Sequence, residues 1–151
     1  MTAFFEILDR YLEAGDASGL LYAPLRESLA FRRTRRYEIE FEGDATAVED
    51  FVRHTLVDAV SQELRSGDAP ALEGFRFLLD YGMKPGALDL EKEAVASFYR
   101  GMPSPDFDLK RLTIRQRIYV FGEGVADPKR FIRDICNAAI HNWRVIEPAH
   151  A

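Results

Sequence analysis

Tyr37, Ile39 and Phe41 alternate with Glu38, Glu40 and Glu42, a period of two that predicts a strand with one buried and one wet face. After the turn formers Gly43 and Asp44, the apolar residues Val48, Phe51, Val52, Leu56, Ala59 and Val60 recur at helical spacing, with Glu49, Asp50 and Arg53 outside the stripe. This pattern predicts a helix that packs back on the strand. Arg65-Ser66-Gly67-Asp68-Ala69-Pro70 has the composition of a linker and divides the chain into comparable halves.

The second half begins with a predicted strand over 75–79, ended by Gly82 and Lys84-Pro85-Gly86. Asp89 reads as the N-cap of a helix whose buried face is traced by Leu90, Ala94, Val95, Phe98 and Tyr99, and which stops near Gly101. After an irregular connection over 102–106, Leu112, Ile114, Ile118 and Val120 alternate with Thr113, Arg115, Arg117 and Tyr119, which predicts a second long strand. Asp127 and Pro128 supply a cap and a first helical position, Phe131, Ile132, Ile135, Cys136, Ala139 and Ile140 the buried face of a third helix, and 143–146 a closing strand.

At the N-terminus Ile7, Leu8, Tyr11 and Leu12 favour a helix over a competing strand at 5–9. The order predicts an α+β protein with a mainly antiparallel sheet, helices on one face and two ferredoxin-like subdomains: residues 1–65, a linker over 66–74, and 75–151. A gapless shift of 80 residues aligns Phe41 with Phe121, Phe51 with Phe131, Arg53 with Arg133, Leu8 with Leu88, Asp9 with Asp89, Ala14 with Ala94 and Arg35 with Arg115. The match points to an internal duplication.

Composition adds bounds to this picture. A chain of 151 residues, 47% apolar and 30% charged, can bury a core as one domain or two small subdomains. It has no apolar run approaching the ~20 residues a membrane span needs, and its start lacks the basic and apolar regions of a signal peptide. A cytoplasmic address with no membrane contact is expected. The single Cys136 cannot form an internal disulfide and falls at an apolar helical position, where a buried thiol is expected.

A net charge of −5 gives no general attraction to nucleic acid. The local exception is Arg32, Arg33, Arg35 and Arg36, four arginines in five positions. Two readings stay open for them: a solvated strand face, or a docking site for phosphate or an acidic partner.

Residue patterns for catalysis are missing. His54, His141 and His150 have no metal-ligand spacing, the Gly82 to Gly86 loop has neither phosphate-binding glycine signature, and no serine lies in a G-x-S-x-G elbow. No catalytic residue, metal or cofactor is expected.

Residues 77–147 resemble PurS, the small subunit of phosphoribosylformylglycinamidine synthase. Lys84-Pro85-Gly86-Ala87-Leu88-Asp89 is similar to the family's K-x-G-V-L-D-P-x-G segment, with Leu90 in place of proline and Lys92 in place of glycine. Ile135-Cys136-Asn137-Ala138-Ala139-Ile140-His141-Asn142-Trp143-Arg144-Val145 is similar to its closing L-x-N-P-V-I-x-D-Y-x-V, with Ala138 for proline. Leu56-Val57-Asp58-Ala59-Val60 echoes the same helix end in the first half, so the resemblance implies a tandem.

That resemblance implies a non-catalytic adaptor that holds a glutaminase and an ATP-dependent synthetase together, either as a separate subunit or as the N-terminal domain of a longer synthetase, with self-association as a further expectation. The residues expected to meet a partner or an anion are Lys84, Asn137, His141 and Trp143 together with the arginine run. The alternative is a stand-alone ferredoxin-like domain that binds a small molecule or regulates.

Overall fold

The computed structural model describes residues 1–124 and 126–148, so His150 lies outside the described residues. In chain order the elements are β1 (Thr2–Asp9), β2 (Gly15–Asp16), a 3-10 turn (Ala17–Leu20), β3 (Leu29–Gly43), α1 (Ala45–Leu56), β4 (Gln62–Ser66), β5 (Phe77–Met83), α2 (Leu90–Arg100), β6 (Phe107–Gly122), α3 (Pro128–Ile135) and β7 (His141–Ile146). The α+β class is as the patterns predict. Six strands follow the order β4-β1-β3-β6-β5-β7, with β2 beside β3. β1 runs antiparallel to β3 and β4, β2 to β3, and β5 to β6 and β7.

Two compact units emerge, and each draws on both chain halves. The first is Met1–Tyr11, Arg35–Ala69 and Leu88–Ile114; the second is Leu12–Thr34, Pro70–Ala87 and Arg115–Ala151. The first therefore contains α2 from the later half, and the second contains the 3-10 turn from the earlier one. Compactness and the division into 1–65 and 75–151 run along different lines.

In the first unit, alternation turns Phe5 and Ile7 of β1, Tyr37, Ile39 and Phe41 of β3, and Leu112 and Ile114 of β6 into one core with Val48, Phe51 and Val52 of α1 and Val95 of α2. Asp44 caps α1 by accepting from the Thr46 amide at 2.9 Å, and Asp89 caps α2 by accepting from Lys92 at 3.0 Å.

Three expectations need correction in this unit. The N-terminus is a strand, because cross-strand partners on both sides outweigh the local helical spacing. α1 stops at Leu56, since Asp58 organises a turn by accepting from the Val60 amide at 3.0 Å, which leaves Val60 exposed. α2 is rotated from its expected face: Val95 is buried and Tyr99 half-buried, whereas Leu90 and Phe98 are 74% and 59% exposed. The rotation follows from anchoring, because the Tyr99 hydroxyl donates to the Phe107 carbonyl at 3.0 Å and accepts from the Leu109 amide at 3.2 Å.

The second unit builds its core from Leu29, Phe77, Leu79, Ile118, Val120, Ala17 and Phe131, the last meeting Phe77 edge to face at 5.3 Å. Asp127 caps α3 by accepting from Lys129 at 3.0 Å, with Pro128 opening the helix. α3 ends at Ile135, so Ala139 and Ile140 belong to a turn and not to a helical face. The face of β6 that carries Arg117 and Tyr119 is buried, not wet. Phe75, Leu78, Tyr119, Leu72, Phe121 and Ile146 form a further cluster there, and the Tyr119 hydroxyl accepts from the Ala71 amide at 3.1 Å.

Candidate functional site

Cross-strand register brings charged residues together in a repeated arrangement. In the first unit Glu6 of β1 stands opposite Arg36 of β3 on one side and Arg65 of β4 on the other. In the second, Asp80 of β5 stands opposite Arg117 of β6 and Arg144 of β7. Directly opposite residues share a face of the sheet, so each unit carries a row of arginine, carboxylate, arginine. Gly43 and Gly122, with φ of 115° and 125°, end the two long strands in the same way.

These pairs do not share one offset, so the gapless shift of 80 residues is not the structural equivalence. It sets the end of β1 against the start of α2, whereas register matches β1 to β5, β3 to β6 and β4 to β7.

The second row is held by a dense set of hydrogen bonds. Asp80 is fully buried; its Oδ1 accepts from Arg115 Nε at 2.6 Å, and its Oδ2 from Arg117 Nε at 2.8 Å and Arg144 Nη2 at 3.4 Å. Arg115 Nη2 also donates to the Asp80 carbonyl at 3.1 Å, while its Nη1 donates to Asn142 Oδ1. Burial pushes the Asp80 carboxyl up, but the Arg115 hydrogen bond and the charges of Arg115, Arg117 and Arg144 prevail and hold it below the usual aspartate range. An ionised carboxylate already bonded to three guanidiniums is a poor proton acceptor at neutral pH. Its chemistry is structural.

In the first row Arg36 is buried. Its Nη1 donates to the Asp68 carbonyl at 2.8 Å, its Nη2 to the Asp68 carboxylate, and its Nε to Glu38 at 3.2 Å, with the guanidinium 4.5 Å from the centre of the Phe4 ring. Arg65 is exposed and bonds Glu63 at 2.9 Å.

The predicted arginine site is dispersed by strand geometry. All four residues lie inside β3, where successive side chains turn to opposite faces, so the run is not one patch. Arg32 is half-buried; Arg33 is exposed over Phe31 at 5.8 Å; Arg35 bonds Glu91, which also accepts from the Tyr37 hydroxyl at 3.2 Å.

Lys84, Asn137 and His141 lie around the turn that leads into β7, with Trp143 two residues further along that strand. Lys84 Nζ donates to the Ala138 carbonyl at 2.6 Å, and its amide to Ile140 at 2.8 Å. Asn137 Oδ1 accepts from Ala139 at 3.0 Å, and the Asn137 amide donates to His141 Nδ1 at 2.9 Å. With Nδ1 accepting, the imidazole proton sits on Nε2. The His141 ring meets Tyr81 edge to face at 5.3 Å, and Trp143, 38% exposed, stands opposite Tyr81.

Sequence reasoning missed Asp80, Arg115, Arg117, Asn142 and Arg144. The available signal was Asp80 itself, a carboxylate inside the apolar run from Phe77 to Tyr81. Cys136 is half-buried at the end of α3, and burial pushes its thiol up to about 11, against the smaller effect of the Arg115 charge. Among the described residues no three His, Cys, Asp or Glu side chains gather to hold a metal ion. No helix among them is long and apolar enough to cross a membrane. No family model, curated protein or solved structure matches the chain.

Proposed function

We propose that this chain is a non-catalytic adaptor of the PurS kind, a tandem of two ferredoxin-like modules that holds a glutaminase and an ATP-dependent synthetase together. The observation that carries this reading is the row of arginine, carboxylate and arginine repeated at equivalent registers, Arg36-Glu6-Arg65 and Arg117-Asp80-Arg144. A duplicated module accounts for it, with strand orders β4-β1-β3 and β7-β5-β6 and with α1 and α3 in matching places.

Exposed apolar groups supply surfaces for such partners. Leu90, Ala94 and Phe98 follow one another at four-residue spacing along the outer side of α2, and Ile140 and Trp143 flank the start of β7. In the PurS resemblance the partners are the cytoplasmic subunits of phosphoribosylformylglycinamidine synthase, between which ammonia passes.

The test is assembly. Mixed with a PurS-type glutaminase and synthetase from its own source, the chain is expected to co-elute with both in size-exclusion chromatography with light scattering, and Phe98→Ser with Trp143→Ser to weaken the complex. Independent elution of all three proteins would remove this reading.

A further inference from the structure

A cavity of about 350 Å³ opens in the first unit between α2 and the first part of β6. Its helical wall is the row Lys92, Ala96 and Arg100, and Lys110 and Arg111 stand on the strand side. The apolar lining comes from Tyr99, Leu109 and Leu112, and Glu93 is the carboxylate at its border. Such a volume is that of a small-molecule site.

Cations predominate in the lining of this cavity, with Glu93 its one carboxylate. Lys110 is already held by Asp108 at 2.7 Å, with Glu42 at 3.9 Å. Among the described residues, Lys92, Arg100 and Arg111 make no ion pair, in a chain whose net charge is −5. Three cations without an ion pair, against the single carboxylate of Glu93, are an arrangement that an anionic ligand neutralises.

The walls are fixed before any ligand arrives. Glu91 ties the first turn of α2 to Arg35 and Tyr37, and Tyr99 ties its last turn to the backbone of Phe107 and Leu109. The anchored residues Glu91, Val95 and Tyr99 form one helical row, so the neighbouring row of Lys92, Ala96 and Arg100 must face the cavity. Ala96 leaves space at the middle, and the cations stand eight residues apart, about 12 Å along the axis.

We infer that this cavity binds a small phosphate-bearing molecule, with the phosphate held by Arg100 and Arg111 and the body of the ligand against Tyr99, Leu109 and Leu112. Arginine supplies the paired donors that match phosphate geometry, and the apolar lining accommodates an organic body that free phosphate lacks. The inference is independent of the adaptor reading.

Calorimetric titration of the purified chain with inorganic phosphate and with AMP, at ionic strength held constant with chloride, tests it. Saturable binding is expected, tighter for AMP, and Arg100→Ser combined with Arg111→Ser should weaken it at least about tenfold. A control that removes the exposed Arg33 and Arg133, the same change in charge away from the cavity, should retain affinity. Absence of saturable binding, or equal loss in the control, would overturn the inference. Should the double variant fail to fold, Lys92→Gln and amide chemical shifts serve instead: AMP-induced shifts confined to 92–100 and 109–112 support the site, and shifts located elsewhere overturn it.

Discussion

Arg117 Nε donates to Asp80 Oδ2 at 2.8 Å, and the two side chains, 1% and 0% exposed, belong to residues directly opposite each other in β6 and β5. Arg115 and Arg144 complete the surroundings of that carboxylate. Removing Asp80 therefore takes away the carboxylate to which the buried Arg117 and the mostly buried Arg115 both donate. Asp80→Ala is expected to cost about 3–5 kcal/mol, since removing one partner of a buried pair is strongly destabilising. Asp80→Asn keeps one acceptor for Arg115 and should cost less. Urea unfolding midpoints measure both; a loss for Asp80→Ala below about 1 kcal/mol, typical of surface pairs, would show that the cluster is solvated.

Acid and alkali should weaken the fold through different residues. The folded Asp80 pKa is lowered, so its contribution is fully present above the unfolded value near 3.9 and is lost as pH falls through the folded value. Tyr37 is pushed up to about 12, chiefly by burial and then by the Glu91 carboxylate, against the lowering effect of Arg35. Its contribution is present below pH 10.0 and is lost as pH rises from there to about 12. Stability measured against pH should show the acid limb flattened in Asp80→Asn and the alkaline limb flattened in Tyr37→Phe. Unchanged limbs would contradict these assignments.

Glycines at the ends of the two long strands are predicted to resist substitution. A Cβ on Gly43 would lie 2.7 Å from the Asp106 carbonyl oxygen and 2.9 Å from Phe107 Cα; one on Gly122 would lie 2.8 Å from the Ser28 carbonyl oxygen. Gly67 shares the positive φ, at 115°, but a Cβ there meets nothing within 4 Å. Gly67→Ala should cost about 1–3 kcal/mol of backbone strain, with Gly43→Ala and Gly122→Ala both higher. Thermal unfolding of the three variants gives the order.

The arginine run should separate in the same way. Arg33→Gln removes an exposed charge and should change stability by less than about 0.5 kcal/mol. Arg36→Gln breaks hydrogen bonds to Asp68 and Glu38 from a buried position, and should cost about 1.5–3 kcal/mol. Equal effects would mean that Arg36 is solvated.

What could be read from the chain follows from which faces are buried. β3 and β6 were legible because one face of each carries alternating apolar residues, and the Asp89 and Asp127 caps because capping is local. β1 was not, since Phe5, Glu6, Ile7 and Leu8 are all buried and a strand covered on both faces loses its period of two. β4, with the sequence Gln62-Glu63-Leu64-Arg65-Ser66, carries too few apolar residues to register. The ionic rows were hidden for a related reason. Arg115 and Arg117 occupy the alternate face of β6, which looks wet in sequence until Leu72 and Phe75 pack over its neighbours. Of the candidate residues, Asn137 and His141 are joined by a local turn where the pattern predicted a helix, and the arginines were grouped by adjacency that a strand undoes.

The adaptor reading is tested most directly by amidation of formylglycinamide ribonucleotide by a PurS-type synthetase and glutaminase from the same source, with and without this chain. With glutamine as the nitrogen source, omission of the chain should abolish turnover; with saturating ammonia, it should leave turnover unchanged. Glutamine-dependent turnover that persists without the chain, or an equal loss with both nitrogen sources, would contradict the account.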